Sequence, residues 1–438
     1  MKLSKGIILI ILTSLLVIGC NRNDKDNIQK DHGDNIEGNE NNLVVEEMEE
    51  EKIKGNKIEK DKIEEEKTKE DEKDKIKEQI KSMSLEEKVG QLIIAGFQGV
   101  ELSDYTIDLI NKYNVGGFIL FSRNIDNAEQ TLKLLNDLKL ENSSKEIPLF
   151  LSIDEEGGNV SRLPNTYTKI PEAMEFGNKD NKEISYELGQ ILGRRVKSLG
   201  FNVDFAPVLD IYSNPKNKVI RNRAYGTTVE KVVNNGIEVM KGIRSTGVIP
   251  GVKHFPGHGD TSLDSHIELP KVGKTLEELE VLELIPFKKA IKEQVEIIMI
   301  AHILYPKIDL NHPASMSKNI IQKYLRETMG YKGVVASDDM TMGAIIENYN
   351  LEDAVLEFIK SGGDLALICH EEENPILAVN KIIDAVNKGD ISEKEIDEKV
   401  YRIIKLKENY NLEDKAFDII NLDELNKDTK LLVEKLSN

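Results

Sequence analysis

From Ser84 onward the chain alternates short apolar runs with longer amphipathic stretches. The runs span 92–97, 116–121, 148–154, 203–210, 251–255, 297–303, 334–338 and 365–369. They are short and almost wholly apolar, as strands buried on both faces are. The stretches between them, 106–113, 128–138, 182–199, 229–245, 276–293, 320–329 and 353–360, place apolar residues at helical spacing. Ser84-Leu85-Glu86-Glu87 reads as a capping box that opens the first helix. Eight β/α repeats in this length predict an α/β fold, a TIM (β/α)8-type barrel forming a single catalytic domain over 82–412. A doubly wound open sheet is the competing architecture, and it too collects ligands at strand C-termini. The segment 390–406 predicts a closing helix, and 413–438 a helical extension.

The N-terminal part has a different composition. Lys2 and Lys5 precede an apolar core over 7–18, and the segment ends Val17-Ile18-Gly19-Cys20. The core is short for a membrane span, so 1–20 reads as a signal peptide. Its end resembles a bacterial lipobox, which implies lipidation at Cys20, a lipid anchor in the membrane and an extracytoplasmic enzyme. An uncleaved anchor helix is the alternative. Residues 21–81 are mostly Asn, Asp, Glu and Lys without Phe, Tyr or Trp, and cannot bury enough apolar surface to offset ordering entropy. They read as a charged tether, disordered or, over 59–80, helical. The net charge of −19 argues against a nucleic-acid partner. Two cysteines exclude a disulfide framework, and Cys369 at a strand end reads as a buried thiol.

Polar residues cluster at the predicted strand ends. The run from Lys253 to His266 holds three of the seven histidines, with Asp260 and Asp264. Asp264 stands two residues before His266, where a carboxylate can fix the tautomer of an imidazole and stabilise its charged form. His266 is then a plausible general acid for a glycosidic oxygen. His254, His258 and His266 could instead ligate zinc, but no His-x-His pair lies on an early strand, and no metal or organic cofactor is expected. His258, in a Gly-His-Gly turn, suits packing better than chemistry. Asp338 and Asp339 end the seventh run, where a carboxylate can attack an anomeric carbon and its neighbour can orient it. Asp154 ends the third run before Glu155-Glu156-Gly157-Gly158. Those two glutamates can be read as sugar contacts or as a solvated loop. Arg221 and Arg223 can bind a substrate oxygen, hold a carboxylate or be surface charges.

Together these motifs resemble glycoside hydrolase family 3, in its β-N-acetylglucosaminidase branch, from about Ser84 to about Lys407. The matching segments are Lys253–Gly259 with Asp264-Ser265-His266, Leu151–Gly158, Phe205–Asp210, Ala301-His302-Ile303 and Ser337-Asp338-Asp339. The resemblance implies Asp338 as nucleophile, His266 as acid/base assisted by Asp264, and Asp154, Arg223, Lys253 and His254 as substrate-binding residues. It implies a carbohydrate substrate, exo-acting release of terminal β-linked N-acetylglucosamine with retention, and peptidoglycan fragments as its source. A phosphorylase and a β-glucosidase of the wider family are the enzymatic alternatives; a sugar-binding protein without turnover is the other. The chain departs from the branch at Arg221-Asn222, at Ala224-Tyr225 and at Glu155.

Overall fold

Eight parallel strands pair in chain order and close on themselves: β1 (Ile93–Ala95), β2 (Gly117–Leu120), β3 (Phe150–Ile153), β4 (Val203–Asp204), β5 (Ile249–Phe255), β6 (Ile297–Ile300), β7 (Val334–Asp339) and β8 (Leu365–Ile368). Closure is made by Ile93, Ile94 and Ala95 opposite Ala366, Leu367 and Ile368. The computed structural model describes residues 75–262, 269–417 and 421–438. Nearly every strand residue is buried, because side chains on one face fill the barrel and those on the other meet the helices. The barrel expectation holds, and the open sheet is excluded by the β1–β8 pairing.

Several elements differ from the sequence reading. The fourth strand is only two residues long, because Pro207 cannot donate to a ladder. Pairing resumes beyond it, with an isolated bridge from Val208 to Lys253. The predicted helix 276–293 is two, Leu276–Glu280 and Ile285–Lys292, the second started by Pro286 in its first turn. A further helix, Glu373–Lys388, was not anticipated. Its Pro375 sits in the first turn, where the missing N–H would have had no partner anyway. The stretch 320–329 is helical but wound as a π-helix, Asn319–Thr328.

The tether expected to reach residue 81 gives way to packed structure sooner. Residues 75–82 are helical, and Ile76 and Ile80, one turn apart on one face, are buried in the barrel core. Residues 1–74, with Cys20, lie outside the described part. The C-terminal extension contains the helix Leu422–Ser437, which buries Leu425 and Leu432, and Asp428 meets Arg194 at 2.9 Å.

The two ends of the barrel carry charge for different reasons. At the N-terminal end, just before β8, buried Asp364 accepts from the Val335 N–H (2.8 Å), from Arg402 Nε (2.9 Å) and from Arg326. Burial opposes its ionisation, but the two guanidinium groups outweigh that and hold it below the ordinary carboxylate range. This cluster ties outer helices to the barrel floor. The opposite end holds the pocket.

Candidate active site

The C-terminal ends of the strands enclose a pocket of about 330 Å³. That is the small end of the usual ligand-pocket range of roughly 300–1,000 Å³. Asp154 follows β3, Lys253 and His254 lie within β5, and Asp338 and Asp339 end β7; all five line the pocket, with Glu156 and Arg223 from the loops. Ile119, Met299 and Leu367 supply apolar wall.

One buried ionic cluster holds the floor in place. Lys253 Nζ lies 2.6 Å from Asp154 Oδ1 and 2.8 Å from Glu156 Oε1. Arg223 forks onto the same Glu156, Nε to Oε2 at 2.8 Å and Nη2 to Oε1 at 2.7 Å. Burial alone would protonate Glu156, but Arg223 and Lys253 reverse that and keep its carboxyl well below the usual range. The same attractions overcome burial at Lys253 and Arg223 and raise both. Glu156, Lys253 and Arg223 therefore stay charged, and these groups and Asp154 retain donor or acceptor capacity for a sugar hydroxyl.

A second chain of contacts fixes the imidazoles. Asp210 is buried and receives the backbone N–H of His258 at 2.6 Å and contacts His254 Nδ1 at 2.7 Å. Burial opposes its ionisation, yet the histidine contacts hold Asp210 low. As acceptor it takes the Nδ1–H of His254, leaving Nε2, 3.5 Å from Arg223 Nη2, to accept from the pocket side. His258 has another fate. It is fully buried, its Nδ1 meets Thr261 Oγ1 at 3.0 Å, and burial followed by repulsion from His254 pushes it down to about 4. His258 is thus neutral near pH 7 and unsuited to act as the proton donor, as its turn suggested. Gly259 is required beside it, since a Cβ there would lie 1.7 Å from the Ile211 carbonyl oxygen.

The Asp338-Asp339 pair resolves into two roles. Asp339 Oδ1 accepts from Thr341 N (2.9 Å), Thr341 Oγ1 (2.6 Å) and Cys369 N (3.1 Å), which ties it to the start of the next loop and the end of β8. Its backbone N–H donates to Asp338 Oδ1 at 2.9 Å. Both are partly exposed and line the pocket, and Asp339 is the one that braces the strand end. His302 also serves structure, bridging Ser315 Oγ (2.7 Å) and the Asp339 carbonyl (2.9 Å). Cys369 is buried, and burial pushes its thiol well above the ordinary range.

Asp264 and His266 lie outside the described residues, which resume at Leu269. The described approach to them is pinned: Asn217 Nδ2 donates to the His258 carbonyl (2.8 Å), Asn214 Nδ2 to that of Asp260 (3.1 Å), and Lys274 meets Asp260 at 2.9 Å. Two residues left open by the sequence prove to be buried. Glu156 belongs to the ionic floor. Glu155 is held by Ser161 Oγ (2.9 Å) and the Arg162 N–H (3.0 Å), and burial raises its carboxyl. Their position directly after a strand-end aspartate was the available signal. Among the described residues no group of three or more His, Cys, Asp or Glu is arranged to hold a metal ion.

A closed (β/α)8 barrel with carboxylates, a lysine, an arginine and an imidazole around a small pocket at its C-terminal face is the architecture of a barrel enzyme, and it accommodates glycoside hydrolysis. The chain belongs to glycosyl hydrolase family 3, whose N-terminal domain model matches residues 84–406. It is 34% identical over 330 residues to beta-hexosaminidase A of Pseudoalteromonas piscicida, covering 68% of this chain but only 54% of that protein. With the beta-hexosaminidase of Methylobacillus flagellatus it shares 32% identity over 281 residues, 63% of this chain and 79% of the other. The solved glycoside hydrolase family 3 beta-N-acetylglucosaminidase from Paenibacillus sp. str. FPU-7 superposes with a TM-score of 0.77 at 40% identity, covering 81% of this chain and 69% of that one. The chain thus spans about half the length of the first relative and more of the other two.

Proposed function

We propose that this chain is an exo-acting, retaining β-N-acetylglucosaminidase that hydrolyses terminal β-linked N-acetylglucosamine, and that its natural substrates are peptidoglycan fragments. The observation that carries the chemistry is Asp338, a carboxylate at the end of β7 that lines a small pocket together with the Asp154–Lys253–Glu156–Arg223 cluster. The cluster and His254 bind the hydroxyls of the terminal sugar and set C1 over Asp338. Asp338 attacks C1 and forms a glycosyl-enzyme. His266, assisted by Asp264, protonates the departing oxygen and then deprotonates the incoming water. The beta-hexosaminidase relatives and the beta-N-acetylglucosaminidase structure support this sugar and this reaction.

The Lys2–Cys20 segment supports export and lipidation at Cys20, which would hold the enzyme at the outer face of the cytoplasmic membrane, near cell-wall glycan. Cells expressing the full chain should incorporate labelled fatty acid into it, and Cys20→Ser should abolish the label; label persisting in that variant would refute the anchor.

The activity is tested by following release from an aryl β-N-acetylglucosaminide and the matching β-glucoside, with and without phosphate. The expected result is rapid, phosphate-independent release from the acetamido sugar alone. Release that requires phosphate would make the protein a phosphorylase, and preference for the glucoside would move it elsewhere in the family.

A further inference from the structure

The loop that leaves β5 toward Asp264 and His266 has two described stems, 256–262 going out and 269–274 coming back. Different neighbours hold them. The outgoing stem is fastened by the segment after β4. Asp210 accepts the His258 N–H at 2.6 Å, and the Asn214 N–H donates to the Gly259 carbonyl at 3.3 Å. Asn217 Nδ2 donates to the His258 carbonyl at 2.8 Å and to Thr261 Oγ1 at 3.1 Å. The returning stem is fastened by the segment after β6. There the Leu304 N–H donates to the Pro270 carbonyl and the Val272 N–H to the Leu304 carbonyl, both at 2.9 Å.

Lys274 ties one stem to the other. Its Nζ lies 2.9 Å from Asp260 Oδ2, near the far end of the outgoing stem, and also meets Glu283. Glu283 is buried and packs against Gly257, where the outgoing stem begins: a Cβ on that glycine, whose φ is +136°, would lie 2.7 Å from the Glu283 Cβ. Burial opposes the charge on Lys274, but Glu283 and Asp260 outweigh it and raise the ammonium above its ordinary value. His266 stands six positions after Asp260 and eight before Lys274. Asp260, Lys274 and Glu283 stand outside the described lining of the sugar pocket, so they reach the reaction only through what they hold.

We infer that Lys274 and Asp260 are positioning residues for the proton-transfer step: their ion pair fixes the spacing of the two stems, and with it the reach of His266 to the glycosidic oxygen. This rests on the reading of His266 as acid/base given above. A general acid works only within hydrogen-bond reach of the atom it protonates, and a misplacement of about 1 Å can cost about 10²-fold in rate. An isolated pair as open to water as Lys274 and Asp260 would hold weakly. Buried Glu283 anchors the same ammonium from behind, which keeps it in place for Asp260.

The test uses the full chain and two aryl β-N-acetylglucosaminides, dinitrophenyl and phenyl, with kcat/KM measured on each. Dinitrophenoxide leaves without a proton, whereas phenoxide needs one. Asp260→Asn keeps the Lys274–Glu283 pair and the backbone contacts of the stem, so it should fold as wild type does. It should lose about tenfold on the phenyl glycoside and less than about twofold on the dinitrophenyl glycoside, a share of the roughly 10²–10⁴-fold that a general acid supplies. Lys274→Gln should show the same split more strongly, with lower stability because buried Glu283 loses its partner. Lys274→Arg, which can span both carboxylates, should keep most of the wild-type rate on both substrates. His266→Ala is the reference and should show the largest split. Equal losses on the two substrates in Asp260→Asn, or no loss on either, would overturn the positioning role, while a split in His266→Ala would leave the acid/base reading standing. No split in His266→Ala would remove that reading, and this inference with it.

Discussion

Replacing Asp338 with alanine is expected to lower kcat by about 10⁴-fold, or about 5.5 kcal/mol of transition-state stabilisation, without loss of folding. Asp338 is partly exposed and lies at the pocket rather than in the core, so the melting temperature should change little. Azide should restore turnover to the alanine variant, because a small anion fits the vacated space and attacks C1 from the same side; the product should be the α-glycosyl azide. Asp339→Ala should behave differently. Three donors converge on its Oδ1, two from Thr341 and one from the Cys369 backbone. Its loss should lower stability as well as rate, and azide should not rescue it. Rescue of Asp339→Ala in place of Asp338→Ala would reverse the two roles.

Glu156→Gln should have the second largest effect, on stability and rate together. The amide keeps the shape but leaves Lys253 and Arg223 facing each other in a buried site with one counter-charge, Asp154, between them. Breaking a buried ion pair from one side costs about 3–5 kcal/mol. The rate should fall roughly 10²-fold or more as the floor that positions the sugar loosens. The variant should also change acid sensitivity. Glu156 is held below its ordinary value of 4.5 in the folded state, so its contribution is complete above about pH 4.5 and is lost as pH falls toward the folded value. Denaturant unfolding from pH 7 down to pH 3 should therefore show a shallower decline for Glu156→Gln than for wild type. The decline should not vanish, because Asp210 and Asp364 are held low in the same way. Parallel profiles would mean that Glu156 is not the linchpin of the floor.

The barrel was legible because each strand is buried on both faces and so appears as an unbroken apolar run; Ile297–Ile300 and Leu365–Ile368 are examples. The site was legible where a charged residue ends such a run, as at Asp154, Lys253 and Asp338. What local pattern could not convey was pairing at a distance. Glu156 looks like part of a solvated loop until Arg223, 67 positions on, is seen to fork onto it. Arg223 in turn could be a surface charge until the same contact is seen. His258 differs from His254 only in what surrounds it: the first meets Thr261 in a sealed turn, the second Asp210 at the pocket wall. Ile76 and Ile80 were hidden by the charged residues around them, since only the turn of a helix brings the two onto one face.

The central claim is that Asp338 becomes covalently bonded to the sugar. Incubation with a 5-fluoro N-acetylglucosaminyl fluoride, which slows breakdown of a glycosyl-enzyme more than its formation, followed by proteolysis and mass spectrometry of the peptides, tests it directly. The account requires a stoichiometric glycosyl label on the peptide that contains Asp338, formed as activity is lost. Continued turnover of the acetamido substrate with no label at Asp338 would contradict it, and would place the 2-acetamido oxygen of the substrate itself in the role of nucleophile.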